Sequence, residues 1–175
     1  MKLYIAAGNN ISNKEWALKV KHSLQELFTS INVLNYDHWK SYLELMDFDY
    51  EAKILKVKIG KEEEFGIFGK SLGVILALKT IREEKINPKF LIFLGIPINF
   101  CKENNIEVDS YLQEFSCPTL IIQNDKDPTI NSKELEVYFK NKGIKNYDFV
   151  EYQSDTHNYL NLDEIKVQIK KFLKK

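Results

Sequence analysis

Short apolar runs alternate along this chain with longer stretches whose apolar positions recur at the helical period. Residues 2–6 predict a first strand, cut off by Gly8-Asn9-Asn10. Asn13 is a good cap, and Trp16, Val20, Leu24 and Leu27/Phe28 then share one face, predicting a helix to about Phe28. A second strand is expected over residues 31–36, then an aromatic-rich stretch over 37–50 and a helix near 49–57. Residues 65–68 read as a short apolar strand, and 72–84 as a helix apolar on most sides at first, hence buried. The next strand, 89–94, ends at Gly95 and Pro97. Residues 98–116 read as irregular, with a helical turn around 108–115. Pro118 introduces a strand over 119–123. Asn131 or Ser132 caps a helix to about Asn141, which Gly143 stops. A strand over 147–152 and an amphipathic helix over 162–172 complete the pattern, the helix with a Lys-rich end that suits its dipole.

Strands separated by helices imply parallel pairing with right-handed crossovers. The runs Leu91-Ile92-Phe93-Leu94 and Leu120-Ile121-Ile122 are continuous rather than alternating, as strands covered on both faces are. The expected fold is therefore α/β: a three-layer αβα sandwich around a mostly parallel sheet of roughly six strands. In such sheets the site lies beyond the carboxyl ends of the strands. Attention goes to the loops starting at Gly8, Asp37, Gly69, Pro97, Asn124 and Asp155.

Length and composition narrow the classes. The 175 residues suit one domain, 1–175, and a chain of this size needs no disulfide or metal staple. Equal numbers of basic and acidic residues, 25 each, leave no electrostatic footprint for a nucleic-acid or acidic-membrane binder. No apolar stretch reaches the roughly 20 residues of a membrane span. Cys101 and Cys117 have no CxxC spacing and no histidine cluster, so they read as free thiols of a cytoplasmic protein. No cofactor and no metal is expected.

The sharpest motif is Gly69-Lys70-Ser71-Leu72-Gly73, a G-x-S-x-G that follows a strand and opens a helix. The glycines permit a tight turn from which Ser71 projects its hydroxyl above the sheet, at a helix N-terminus that favours developing negative charge. A serine hydroxyl needs a base, and the base needs an orienting group. His157 is the histidine downstream of Ser71, in Asp155-Thr156-His157 just after the last strand. Asn124-Asp125-Lys126-Asp127-Pro128, after the strand at 119–123, offers Asp125 and Asp127 as the acid. His22, among lysines on a helix, reads as part of a solvated face.

These motifs, in this order, resemble the α/β-hydrolase superfamily. Residues 69–73 look like its nucleophile elbow, residues 118–128 like its acid-bearing strand and turn, and Asp155-Thr156-His157 like the loop delivering the base. The resemblance implies Ser71 as nucleophile, His157 as base and Asp127, just before the proline, as acid. It also implies an oxyanion hole from the backbone amides of Asn9 and Leu72. Residues 98–116 stand where larger relatives insert a lid; so short a segment implies an open site and a small acyl group. Gly8 and the aromatics after the second strand, His38 and Trp39 with Tyr42 near them, are expected at the substrate pocket. The sequence departs from the family pattern at Lys70, where His is common, at Val74 and Asn124, often Gly, and at Ala7-Gly8-Asn9, where many relatives carry His-Gly-x. None of these removes a catalytic group; they bear on the subfamily and the substrate.

The expected activity is that of a serine hydrolase of carboxylesterase type acting on a small ester or thioester. The alternative is a catalytically silent module of the same fold that binds a small molecule or a protein partner. A phosphate-binding loop is disfavoured, because its first glycine falls at Glu64 and residues 65–68 are themselves strand.

Overall fold

The computed structural model describes residues 1–41, 45–112 and 116–175. Among them β1 (Lys2–Ala6), β2 (Ser30–Val33), β3 (Phe65–Lys70), β4 (Phe90–Leu94), β5 (Thr119–Asn124) and β6 (Tyr147–Tyr152) form one sheet. Its order is β2-β1-β3-β4-β5-β6, and every neighbouring pair is parallel. The helices are α1 (Ser12–Leu24), α2 (His38–Ser41), α3 (Phe48–Ile59), α4 (Leu72–Glu83), α5 (Ile98–Glu103), α6 (Asp109–Leu112), α7 (Ser132–Asn141) and α8 (Leu162–Phe172). α1 packs with α8 and α3 with α4, and these helices flank the sheet in the expected three-layer sandwich.

Burial explains the hydrophobic pattern. Every residue of β3, β4 and β5 is buried, so these strands are apolar without alternation. The edge strands differ: β2 alternates, and β6 is mostly half-buried. Large rings pack the flanking segments onto the sheet, with Trp16 of α1 5.9 Å from Phe68 of β3 and Phe28 stacked 6.0 Å from Phe90 of β4.

The sheet order creates the place for a site. β1 and β3 are neighbours, but the chain leaves β1 through α1 toward β2 and leaves β3 through α4 toward β4. Their carboxyl ends therefore open a crevice where the strand order reverses. The register sets Ala6 opposite Gly69 and Lys70 opposite Leu94, so Ala7-Gly8-Asn9 emerges beside Lys70-Ser71.

Glycine is required where α4 crosses this crevice. A Cβ at Gly73 would stand 1.9 Å from the Ala6 carbonyl oxygen, and one at Gly69 2.9 Å from the Val74 Cα. Both clashes are with backbone, which cannot move aside. The helix after Ser71 thus lies directly on the end of β1.

Several elements differ from their sequence expectation. Asn13 lies inside α1 rather than capping it, its amide turned to Lys70 and to the Asn10 carbonyl. α1 stops at Leu24; Phe28 is core residue without helix, held by Phe90. β2 ends at Val33, and Tyr36 instead sends its hydroxyl to the Ala7 carbonyl. Asn131, not Ser132, caps α7, while the Ser132 hydroxyl bonds Glu151. Residues 98–112, expected to be largely irregular, contain α5, which buries Ile98 and Cys101, and α6. The Tyr111 hydroxyl accepts from Lys79 on α4, and Asp109 accepts from Tyr138 and Lys142 at the end of α7. Tyr42 and the end of the turn expected over 108–115 lie outside the described residues.

Candidate active site

Ser71 stands between β3 and α4 with φ 55° and ψ −128°, a conformation that disfavours any residue with a Cβ. Two backbone bonds hold it: its N–H donates to Leu94 at 3.0 Å, and its carbonyl accepts from Val74 at 2.9 Å. The neighbouring strand and the first turn of the helix together impose the strain. Its side chain makes no capping bond to the helix, so the hydroxyl is not tied to its own backbone.

Asp127 follows β5 and is the most fully engaged carboxylate near Ser71. Its Oδ2 accepts from His157 Nδ1 at 2.7 Å and from the Tyr159 hydroxyl at 2.7 Å. Its Oδ1 accepts from the Thr129 hydroxyl at 2.7 Å and the Thr129 N–H at 2.9 Å. Burial pushes the carboxyl pKa up, but the bonds from His157 and Thr129 and the attraction of the imidazole outweigh it, and the group is held below its ordinary value. An ionised carboxylate only accepts, so Nδ1 carries the proton of the neutral ring and Nε2 presents a lone pair. Asp125, the other acid candidate, is used elsewhere: its Oδ1 accepts the Ser154 N–H and fastens the loop after β6.

Second partners fix this pair. Asn124 receives the Tyr159 hydroxyl oxygen on its N–H and donates its side-chain amide to the Thr156 carbonyl, beside His157. Tyr159 itself has φ 53°. Gly95, at φ 59°, leaves room for the ring: a Cβ there would come within 2.7 Å of His157 Cε1 and 2.6 Å of Tyr159 Cε2. Sequence reasoning did not single out Tyr159 or Thr129. For Thr129 the available signal was its position two residues beyond Asp127, a spacing at which an Asp side chain accepts from the following N–H; Tyr159 carried no local signal, because its partner Asp127 is far away in the chain.

Ser71 and His157 line one cleft of about 380 Å³, with Asn9, Leu72, Asn13, Lys70, Pro97, Phe100 and Asn158 among its walls. His157 Nε2 is buried and has no hydrogen-bond partner among the described residues, so the Ser71 hydroxyl does not bond it here. Such a bond commonly closes only when substrate is bound. Leu72 is the first residue of α4, where an N–H has no partner within the helix.

The aromatics after β2 act on this cleft through Asn9. The Asn9 carbonyl accepts from His38 Nε2 and Trp39 Nε1, each at 2.7 Å, and its side-chain oxygen accepts from the Met46 N–H at 2.8 Å. Both rings are buried and neither is among the cleft walls, contrary to their expected place at the pocket. Gly8 is likewise not a wall; a Cβ there would press on the Asn13 amide at 3.1 Å.

Lys70 is a wall of the cleft and is buried, its Nζ 2.8 Å from Asn13 Oδ1 and 5.2 Å from the centre of the Trp16 ring. Burial pushes it down to about 8, against the attraction of Asp127. Burial pushes the thiols of Cys101 and Cys117 up to about 12, which keeps them protonated and unreactive. His22 is exposed, as a solvated helix face requires. No group of His, Cys, Asp and Glu that could hold a metal occurs among the described residues, and no helix among them is long and apolar enough to cross a membrane.

A six-stranded parallel sheet in this order, flanked by helices, is the fold of the α/β hydrolases, and the chain has that fold. Solved structures of that fold superpose over almost the whole chain. Est1E from Butyrivibrio proteoclasticus, with ferulic acid bound, is 19% identical over 98% of this chain and 87% of its own, at a TM-score of 0.75. An esterase from Pyrococcus furiosus is 16% identical over 99% of this chain and 82% of its own, at 0.75. An alpha-beta serine hydrolase homologue from Coxiella burnetii is 16% identical over 99% and 85%, at 0.74. No protein-family model matches the sequence, and no curated protein matches it.

Proposed function

We propose that this protein is a cytoplasmic serine hydrolase of carboxylesterase type that cleaves a small ester or thioester. Ser71 is the nucleophile, His157 the general base and Asp127 the group that orients and stabilises the imidazole. The observation that carries the reading is the bond from half-buried His157 to buried Asp127, with His157 and Ser71 lining one cleft and His157 Nε2 without a hydrogen-bond partner among the described residues. The esterase and serine-hydrolase neighbours of the same fold support it.

In the reaction, Nε2 takes the Ser71 proton as Oγ bonds to the carbonyl carbon. The amides of Asn9 and Leu72 receive the negative oxygen, a role worth about 10²–10³ in rate per donor. The tetrahedral species collapses by breaking the bond to the alcohol or thiol, which leaves with the proton from His157. Water then repeats the sequence on the acyl-serine, and the acid product leaves. Because the donors are backbone groups, the side chains of Asn9 and Leu72 are not required for this step.

The test is labelling by a fluorophosphonate with intact-mass detection. A single adduct on the wild type, absent in Ser71→Ala and lost or strongly slowed in His157→Ala, is the expected result. Ester turnover should fall by roughly 10⁴-fold or more in either variant while both stay folded. Failure of the folded wild type to label would favour the silent binding module.

A further inference from the structure

The proposed reaction leaves one group of the cleft unused. Lys70 sits immediately before Ser71, and its ammonium is buried with a single neutral acceptor, Asn13 Oδ1. The Trp16 ring covers it on another side. Among the described residues no carboxylate forms an ion pair with it; Asp127, the acidic group that attracts it, is engaged by His157, Tyr159 and Thr129. An ammonium has three donors, and Asn13 takes one. Burying a cation without a counter-charge is costly, and a Met of similar length would fill much of the space without that cost. Burial lowers the Lys70 pKa despite the attraction of Asp127. The described cleft walls include no carboxylate; Asn10, Asn13 and Asn158 among them are neutral amides that donate as well as accept.

We propose that the missing charge is the substrate's: the cleft selects a short ester or thioester that carries a carboxylate, which pairs with the Lys70 ammonium. This rests on the serine-hydrolase reading and narrows it. The carboxylate sits on either the acyl or the alcohol part, and the two are separated by the choice of substrate.

The experiment compares charged and neutral esters of similar size. On the acyl side these are monomethyl glutarate and methyl valerate; on the alcohol side, 4-acetoxybenzoate and phenyl acetate. The quantity read is the ratio of kcat/KM for the anionic over the neutral ester, which is independent of the absolute rate. The wild type should prefer one anionic ester by about tenfold or more. Lys70→Met should bring that ratio to one or below. Asn13→Asp keeps the lysine and supplies an internal counter-charge; it should abolish the preference as well, and serves if Lys70→Met does not fold. An active wild type with a ratio near one overturns the inference and leaves the hydrolase reading standing. If no ester is cleaved and Ser71 is not labelled, the hydrolase reading fails, and glutarate itself becomes the probe. Thermal stabilisation by glutarate beyond that of sodium chloride at equal ionic strength, absent in Asn13→Asp, supports the anion site; equal stabilisation overturns it.

Discussion

At the scale of the residue, Ser71 is the position where backbone energy and chemistry meet. Its φ of 55° is held by one bond to β4 and one within α4, so the strain is imposed by the two elements it joins. Ala is strained there just as Ser is, whereas Gly is not. Ser71→Ala should therefore leave stability nearly unchanged, and Ser71→Gly should raise it by about 1 kcal/mol, the relief exceeding the greater entropy of a glycine in the unfolded chain. Equilibrium denaturation of the two variants measures the difference; a glycine variant less stable than the alanine one would mean that the turn is not strained. The sequence disclosed this position through its flanking glycines, whose need is visible in the contacts a Cβ would make. It did not disclose Tyr159, whose hydroxyl bonds Asp127 only because a positive φ turns it back past His157.

At the scale of the element, the legible parts were those with long, periodic apolar patterns. α4, α7, α8 and the buried strands follow from their own residues. α2 and α5 do not, because four and six residues are too few for a period to declare itself. Their stability comes from what they touch: Ile98 and Cys101 of α5 are buried, and α2 sets two ring donors on the Asn9 carbonyl. The His38–Trp39 pair was expected to meet substrate and instead holds the backbone beside it. Trp39→Phe removes one of the two donors and leaves the other. It should cost about 1 kcal/mol of stability, as a single buried hydrogen bond does. It should also lower kcat by roughly tenfold with little change in KM, less than the loss of a whole oxyanion donor. A change confined to KM would place the ring in substrate binding after all.

At the scale of the whole molecule, charge governs the acid limit. Glu15, Glu26, Asp49, Glu62, Asp109 and Asp127 are each held below their ordinary values of 3.8 or 4.5, all but Asp127 chiefly by hydrogen bonds from lysines or a tyrosine. A carboxylate with a lowered folded pKa adds stability above its ordinary value and loses it as pH falls through the folded one. Glu51, raised by burial, works in the opposite direction but is the one raised carboxylate among the described residues. The melting temperature should thus be nearly flat from neutral pH to about 5 and fall steeply below about 4. Salt should blunt the part owed to the exposed pairs and spare that of Asp127. A melting temperature that is constant down to pH 3 would contradict this account. The sheet order behind the site was readable only in outline: alternation of elements implies parallel strands, but nothing local states that β1 lies between β2 and β3.

The fastening of α6 has a kinetic consequence. Tyr111 is held through Lys79 to α4, and Asp109 through Tyr138 and Lys142 to α7. Among the described residues, a segment tied at both sides in this way offers no hinged flap for an oil–water boundary to pull open. On the proposed hydrolase reading, turnover of a sparingly soluble ester should therefore level off at its solubility limit, with none of the sudden rise that marks interfacial activation, and added detergent micelles should slow hydrolysis by sequestering substrate.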